Sequence, residues 1–373
     1  MFAGGLFRRK KKMEAVSSPG TDAEMDMGGA DIDVDATYTS YQESADAQTD
    51  RASYASSSIC SLASSATRYR YENGRRYHAW RDGTYYAPND EGAQSYELIV
   101  HHLWLLTLHD KLFLAPITSP KRILDVGTGT GLWAVDIADH FPAAEITATD
   151  LSPILYTAAP PNLVFEIDDA CSEWTYPPDH FDFIHIRGLT GCVKDWPHMY
   201  AQVYAHLAPG AWFEQLEFEI RTNADPASGR HADQIVAAFS DSVIDVGERL
   251  TGMTFKIVEQ MAALLPQAGF VDVHEERFIW PIGAWPKDPH LKDLGRWGER
   301  NWSEGIEGWV MALYTRLLGW TYAEVQAFVK DFRSVIKNRG NHFYHEVRCV
   351  YARKPFPGEV VEKSGDDGAS AEA

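Results

Sequence analysis

The sequence predicts an α/β protein built on a doubly wound, mostly parallel sheet. Two observations carry this. From Lys121 onward, short apolar runs alternate with helical stretches, a rhythm that implies right-handed βαβ units. The first of these runs, "RILDV", opens directly onto "GTGTG" and then a helix. A glycine turn between strand and helix is where such sheets bind ligands.

The elements follow in order. Residues 1–70 read as a disordered tail. "SSPGTDAEMDMGGADIDVDATYTSYQESADAQTD" is acidic and small, and "RASYASSSICSLASSATRYR" is serine-rich. Neither stretch buries enough apolar surface to offset its ordering entropy. Order begins near "YENGRRYHAWRDGTYYAPNDE", and "AQSYELIVHHLWLLTLHDKLFL" reads as a long, largely buried helix without Gly or Pro. "RILDV" is the first sheet strand, "LWAVDIADHF" a helix ended by Pro142, "EITATD" the second strand, "LVFEI" the third and "FDFIHIR" the fourth. "WPHMYAQVYAHLAPG" has Pro at its start and Gly at its end, as helices prefer. "AWFEQLEFEI" is the fifth strand.

Beyond Arg221 the pattern turns helical. Ile235, Phe239, Val243, Val246 and Leu250 share one helical face. "FKIVEQMAALLPQAGF" is helical, "VDVHEERFIW" strand-like, and a tryptophan-rich helical insert covers 288–337. Its last helix opens with Thr321 and has Glu324 three residues on, a capping box. "HFYHEVRCVYARKP" is the final strand, and residues 357–373 form a loose acidic tail.

Composition narrows the function. The chain has 373 residues, 45% of them hydrophobic, enough for a sizeable core. A net charge of −19 argues against broad nucleic-acid binding, which needs a basic surface. Cys60, Cys171, Cys192 and Cys349 form neither a CxxC pair nor a zinc spacing. They read as reduced thiols, with no metal site implied. No apolar run approaches the roughly 20 residues of a membrane span. The N-terminus lacks the order of a secretory signal. These features together predict a soluble protein of the nucleus, the cytoplasm or both. Arg8, Arg9, Lys10, Lys11 and Lys12 form a candidate nuclear import signal. The alternative is a solvated charge run.

Gly127, Gly129 and Gly131 give G-x-G-x-G. Position 132 is Leu, so the dinucleotide spacing G-x-G-x-x-G fails. Instead Asp125 precedes the first glycine by two. The combination [DE]-x-G-x-G-x-G, here with Thr128 in its first variable position, resembles motif I of class I S-adenosylmethionine (SAM) methyltransferases. SAM carries a cationic sulfonium and no pyrophosphate, so a carboxylate beside the loop suits it. Asp150 ends the second strand, where an acid can accept from both ribose hydroxyls; it could equally be a turn residue. Asp169 with the backbone of Ala170 resembles the methyltransferase segment that holds the adenine amino group. Asp168 is the rival by register.

"ENGRRYHAWRDGTYYAPNDE", "GWVMALYTRLLGW" and especially "LAPGAWFEQLEFE" resemble the LaeA-like methyltransferases of filamentous fungi, over residues 71–356. The resemblance implies a Rossmann-like, seven-stranded class I methyltransferase sheet in the order 3-2-1-4-5-7-6, with the last strand antiparallel. Helical lid elements at 75–115 and 231–337 should cap the strand ends and wall the acceptor pocket, with Trp280, Trp285, Trp297, Trp302 and Trp309 lining the lid or packing in the core. It also implies SAM as cofactor, velvet-family proteins as partners, and influence over secondary metabolism and development. The methyl acceptor is a small molecule or a protein. The competing reading is a biosynthetic enzyme that methylates one secondary metabolite. His185, Arg187 and Glu217 lie at strand ends and are candidates for a direct catalytic role; His185 and Glu217 could equally be structural.

Overall fold

The computed structural model describes residues 32–35, 69–81, 85–153, 159–224 and 230–359. The basic cluster at Arg8–Lys12, Cys60 and most of both tails lie outside the described residues. Inside the stretch expected to be disordered, residues 32–35 are placed. Val34 forms an antiparallel bridge with Pro286, Asp35 N donates to Trp285 O, and Lys292 pairs with Asp35. The C-terminal order reaches Glu359, whose carboxylate pairs with Arg353 at 2.7 Å.

Strands β1 (Arg70–Glu72) and β2 (Arg75–Tyr77) form a hairpin closed by Asn73 and Gly74. Both turn residues have positive φ, 51° and 75°, the geometry that suits an Asn-Gly hairpin. Helix α1 (Glu91–Thr107) follows, capped by Asp90, which accepts from Ala93 N. Arg75 holds that cap with a fork of two bonds at 2.6 and 2.9 Å. The helix stops before the sequence suggests. His109 and Asp110 adopt φ of 53° and 64° and break it without a Gly or Pro to announce the end.

The sheet strands are β3 (Arg122–Val126), β4 (Glu145–Asp150), β5 (Leu163–Ile167), β6 (Phe181–Arg187), β7 (Leu207–Phe218), the short β8 (Asn223–Ala224), β9 (Val271–Ile282) and β10 (Phe343–Arg353). Between them lie α2 (Leu132–His140), α3 (Trp196–His206), α4 (Arg230–Thr251), α5 (Met261–Gln267), α6 (Pro289–Ala312) and α7 (Tyr322–Ile336). The order is β5-β4-β3-β6-β7-β10, with β9 on the far side of β10. Strands β3 to β7 are parallel, and β10 runs antiparallel to β7 and β9. Counted from β3, with the minor β8 set aside, this is the expected 3-2-1-4-5-7-6 order.

Side chains alternate across the sheet. Leu124, Ile184 and Val350 face α3 and α5, while Ile123 and Phe183 face α2. A further core joins α4, α6 and α7 around Phe239, Trp302 and Phe332. Two local expectations change. Helix α3 ends at His206 and "LAPG" opens β7 instead of closing the helix, and Gly210, at φ 80°, sits where the β6–β7 register shifts. In α4 the buried face is Val236, Phe239, Val243 and Val246, while Leu250 is exposed. Among the described residues no helix is long and apolar enough to cross a membrane.

Candidate cofactor site

The site forms where β3, β4, β5 and β6 end. Gly127, Gly129 and Gly131 have φ of 72°, 59° and 79°, so all three occupy the region that only glycine enters at low cost. A Cβ on Gly127 would meet Leu189 Cδ2 at 2.6 Å, and one on Gly129 would meet Glu97 Oε2 at 2.5 Å. The loop is pinned to β4: Gly127 N and Thr128 N both donate to Thr149 O at 2.9 Å. Asp150 Oδ2 accepts from Gly129 N and Oδ1 from Ser152 N, each at 2.9 Å. Burial pushes the Asp150 carboxyl up to about 6.

Asp168 N donates to Asp150 O at 3.0 Å, which places the adenine-type segment against the ribose-type acid. Asp168 folds onto its own neighbour, its Oδ1 accepting from Asp169 N at 2.8 Å. Asp169 accepts from Cys171 N at 2.9 Å and pairs with the Arg81 guanidinium. Ala170 O accepts from Trp174 Nε1 at 3.0 Å. Arg81 itself lies over the Trp80 ring, 4.7 Å from its centroid.

The strand-end candidates divide. His185 is fully buried, donates from Nδ1 to Asp125 Oδ1 at 2.8 Å and stacks on Trp133. It orients Asp125 from behind and does not face the cleft. Glu217 is also fully buried. It accepts from Leu189 N, Thr190 N, Thr190 Oγ1 and Gln215 Nε2 at 2.9–3.1 Å. Its work is to shape the loop after β6, although burial pushes its carboxyl up to about 7. Both residues therefore hold the site together through buried hydrogen bonds. Arg187 Nη2 donates to His101 Nδ1 at 3.2 Å. That fixes the His101 tautomer, so its Nε2–H donates to Asp136 Oδ2 at 2.9 Å. One chain of bonds thus ties β6, α1 and α2 around the loop.

Sequence reasoning missed Glu97. From α1 its Oε2 accepts from Thr130 N at 2.6 Å, directly over the glycine turn. Burial and the nearby Asp150 push its carboxyl up to about 7. Its only signal in the sequence was an acid inside an otherwise apolar helix. The tryptophans also sort differently from a uniform lid. Trp280, Trp285 and Trp302 are buried in the core, and Trp309 alone among them meets a residue beside Glu97, edge-on to Tyr96 at 5.5 Å. Tyr85, Tyr86 and Phe255 continue this aromatic wall at 5.5 and 5.8 Å spacings.

The residues present fit a SAM-type ligand. The three positive-φ glycines leave the backbone bare, Asp150 keeps lone pairs for hydroxyls, and Thr128 Oγ1 is buried with no hydrogen-bond partner among the described residues.

Comparison with known proteins agrees. A family model described as "Methyltransferase domain" matches residues 99–275. The chain is 39% identical to "Methyltransferase pytC" of Aspergillus terreus over 80% of this chain and 92% of that protein. It is 36% identical to "Secondary metabolism regulator LAE1" of Cochliobolus heterostrophus, over 76% and 94%. It is 31% identical to "Protein-methionine methyltransferase laeA" of Emericella nidulans, over 79% and 78%. With the glycine loop, the strand order and relatives that span most of its length, the chain belongs to the LaeA-like family of SAM-dependent class I methyltransferases.

Proposed function

We propose that this methyltransferase regulates fungal secondary metabolism and development from within a nuclear protein complex, with velvet-type proteins as partners. The observation that carries the reading is the likeness to relatives named as secondary metabolism regulators across more than three quarters of the chain. The basic cluster at Arg8–Lys12 supports nuclear entry.

When bound, SAM supplies an electrophilic methyl group on a sulfonium leaving group. The chain's residues orient it and exclude water. Asp150 would hold the ribose, Asp169 and Ala170 the adenine, and the glycine loop the amino-acid portion. His185 and Glu217 are both fully buried, one against Trp133 and one beneath the β6 loop, so neither is assigned the deprotonation of an acceptor. The site suits a nucleophile that attacks without their help.

A second reading is a pathway enzyme acting on one small metabolite. The aromatic wall of Tyr85, Tyr86, Tyr96, Phe255 and Trp309 favours it, since apolar acceptors need apolar pockets. So does the likeness to the pytC methyltransferase. A pull-down from the source cells, paired with metabolite profiling of a deletion strain, separates the two. A regulator recovers velvet-type partners and alters many unrelated metabolites. No protein partner, with one unmethylated compound accumulating, would overturn the regulatory reading.

A further inference from the structure

We propose that Glu97 is the counter-charge by which this site prefers the sulfonium cofactor to its neutral thioether product. Three carboxylates converge on the glycine loop, and each has a different occupation. Asp125 is held from behind by His185 at 2.8 Å. Asp150 is held by Gly129 N and Ser152 N and stands at the ribose position. Glu97 is held by Thr130 N, and its Oε2 lies 2.5 Å from where a Gly129 Cβ would sit.

Charge balance leaves both Asp150 and Glu97 without a direct cation, and Asp150 already stands at the ribose position, so Glu97 is the acid left to meet a cationic sulfur. The cation it senses is Arg187, and that guanidinium is bonded to His101. No ion pair joins Glu97 to any cation among the described residues. The other groups around it are Asp150 on β4, Thr130 on the loop, Tyr96 beside it and Tyr85 before α1. None of these brings positive charge. A partly buried carboxylate with an acidic neighbour and no direct cation gains most from a cationic ligand. Methyl transfer removes that cation: the acceptor's lone pair forms a bond to the methyl carbon as the S–CH3 bond breaks, that bond's electron pair stays on sulfur, and a neutral thioether remains. The attraction to Glu97 falls away with it, which favours release of product.

The inference rests on SAM being the methyl donor. It is tested by titration calorimetry on the full chain with SAM and S-adenosylhomocysteine. In Glu97→Gln the SAM dissociation constant should rise on the order of tenfold, while that of the thioether changes less than about twofold. An equal rise for both ligands, or none for SAM, overturns the proposal. A second measurement needs no variant. In buffers of differing ionisation heat near pH 7, wild-type protein should release more protons on binding SAM than on binding the thioether, because the cation holds Glu97 ionised. SAM affinity should accordingly rise with pH through neutrality. Equal proton release overturns the proposal too. If wild-type protein binds neither ligand, the donor reading itself falls. Intact binding without charge preference removes only the role of Glu97.

Discussion

The imidazole of His185 lies flat on the indole of Trp133, with centroids 3.6 Å apart and planes 3° apart. The same ring donates to Asp125, and the indole donates to Leu112 O at 2.8 Å. Strand β6, helix α2 and the acid of the glycine motif are thereby fixed to one another. Burial holds the imidazole below its usual range and hence neutral. Replacing His185 with Leu removes the donor to a buried carboxylate and the stack together. Stability should fall by about 2–4 kcal/mol in denaturant unfolding. A loss under about 0.5 kcal/mol, the range of a surface change, would contradict the role assigned to the pair.

Asp150 is expected to carry much of the cofactor affinity. Asp150→Ala removes two charge-assisted hydrogen bonds to ribose, each worth about 1.5–3 kcal/mol. The SAM dissociation constant should rise by about tenfold or more by calorimetry. The variant also frees Gly129 N, so circular dichroism must first show an intact fold. Wild-type affinity in a folded variant would place the ribose elsewhere.

Glu214 links stability to pH. It is fully buried, with Leu114 N and Ala115 N donating to Oε2 at 2.7 Å and the Cys349 thiol beside the carboxyl. Burial pushes its carboxyl from 4.5 to about 7. The folded state therefore keeps a proton that the unfolded chain has released. Its contribution is fully present below pH 4.5 and is lost as pH rises through about 7. Glu214→Gln keeps the acceptor and has no proton to lose. Measured against wild type at pH 5 and pH 8, the variant should gain about 2.5 kcal/mol relative to it over that interval. A constant gap would mean that Glu214 is ionised throughout.

Helix α6 lies so close to the end of β9 that Gly298 has no room for a methyl group. A Cβ there would collide with the backbone carbonyl oxygen of Pro281. Gly308, on the same helix, has only Pro88 Cγ at 3.5 Å and Arg75 at 3.6 Å nearby, ordinary contact. Gly308→Ala should stabilise the protein by about 0.5–1 kcal/mol through helix propensity. Gly298→Ala should lose about 1–3 kcal/mol despite the same propensity gain. Equal thermal midpoints for the two variants would refute the close packing of α6 on β9.

Local signals in the chain were enough to determine much of the architecture. Strands from Leu163 to Ile167 and from Phe181 to Arg187 have the bounds their apolar runs suggest. The Thr321–Glu324 capping box forms as written, with both reciprocal bonds. These features depend on residues close in sequence, where propensity and spacing act directly.

The chemistry around the loop was decided by tertiary structure. Glu97 lies 33 positions from Thr130 in sequence and meets it because the packed fold brings α1 over the glycine loop. His185 and Glu217 read as catalytic candidates until packing enclosed them, one behind Asp125 and one beneath Thr190. Trp280 and Trp285 could have lined a lid, yet α1, α6 and β10 cover them. Leu250 shares the helical period of a buried face and is nevertheless exposed. A residue's type and period state what it can do. Which atoms face it depends on long-range docking, and that free energy is spread over many contacts no short stretch of sequence contains.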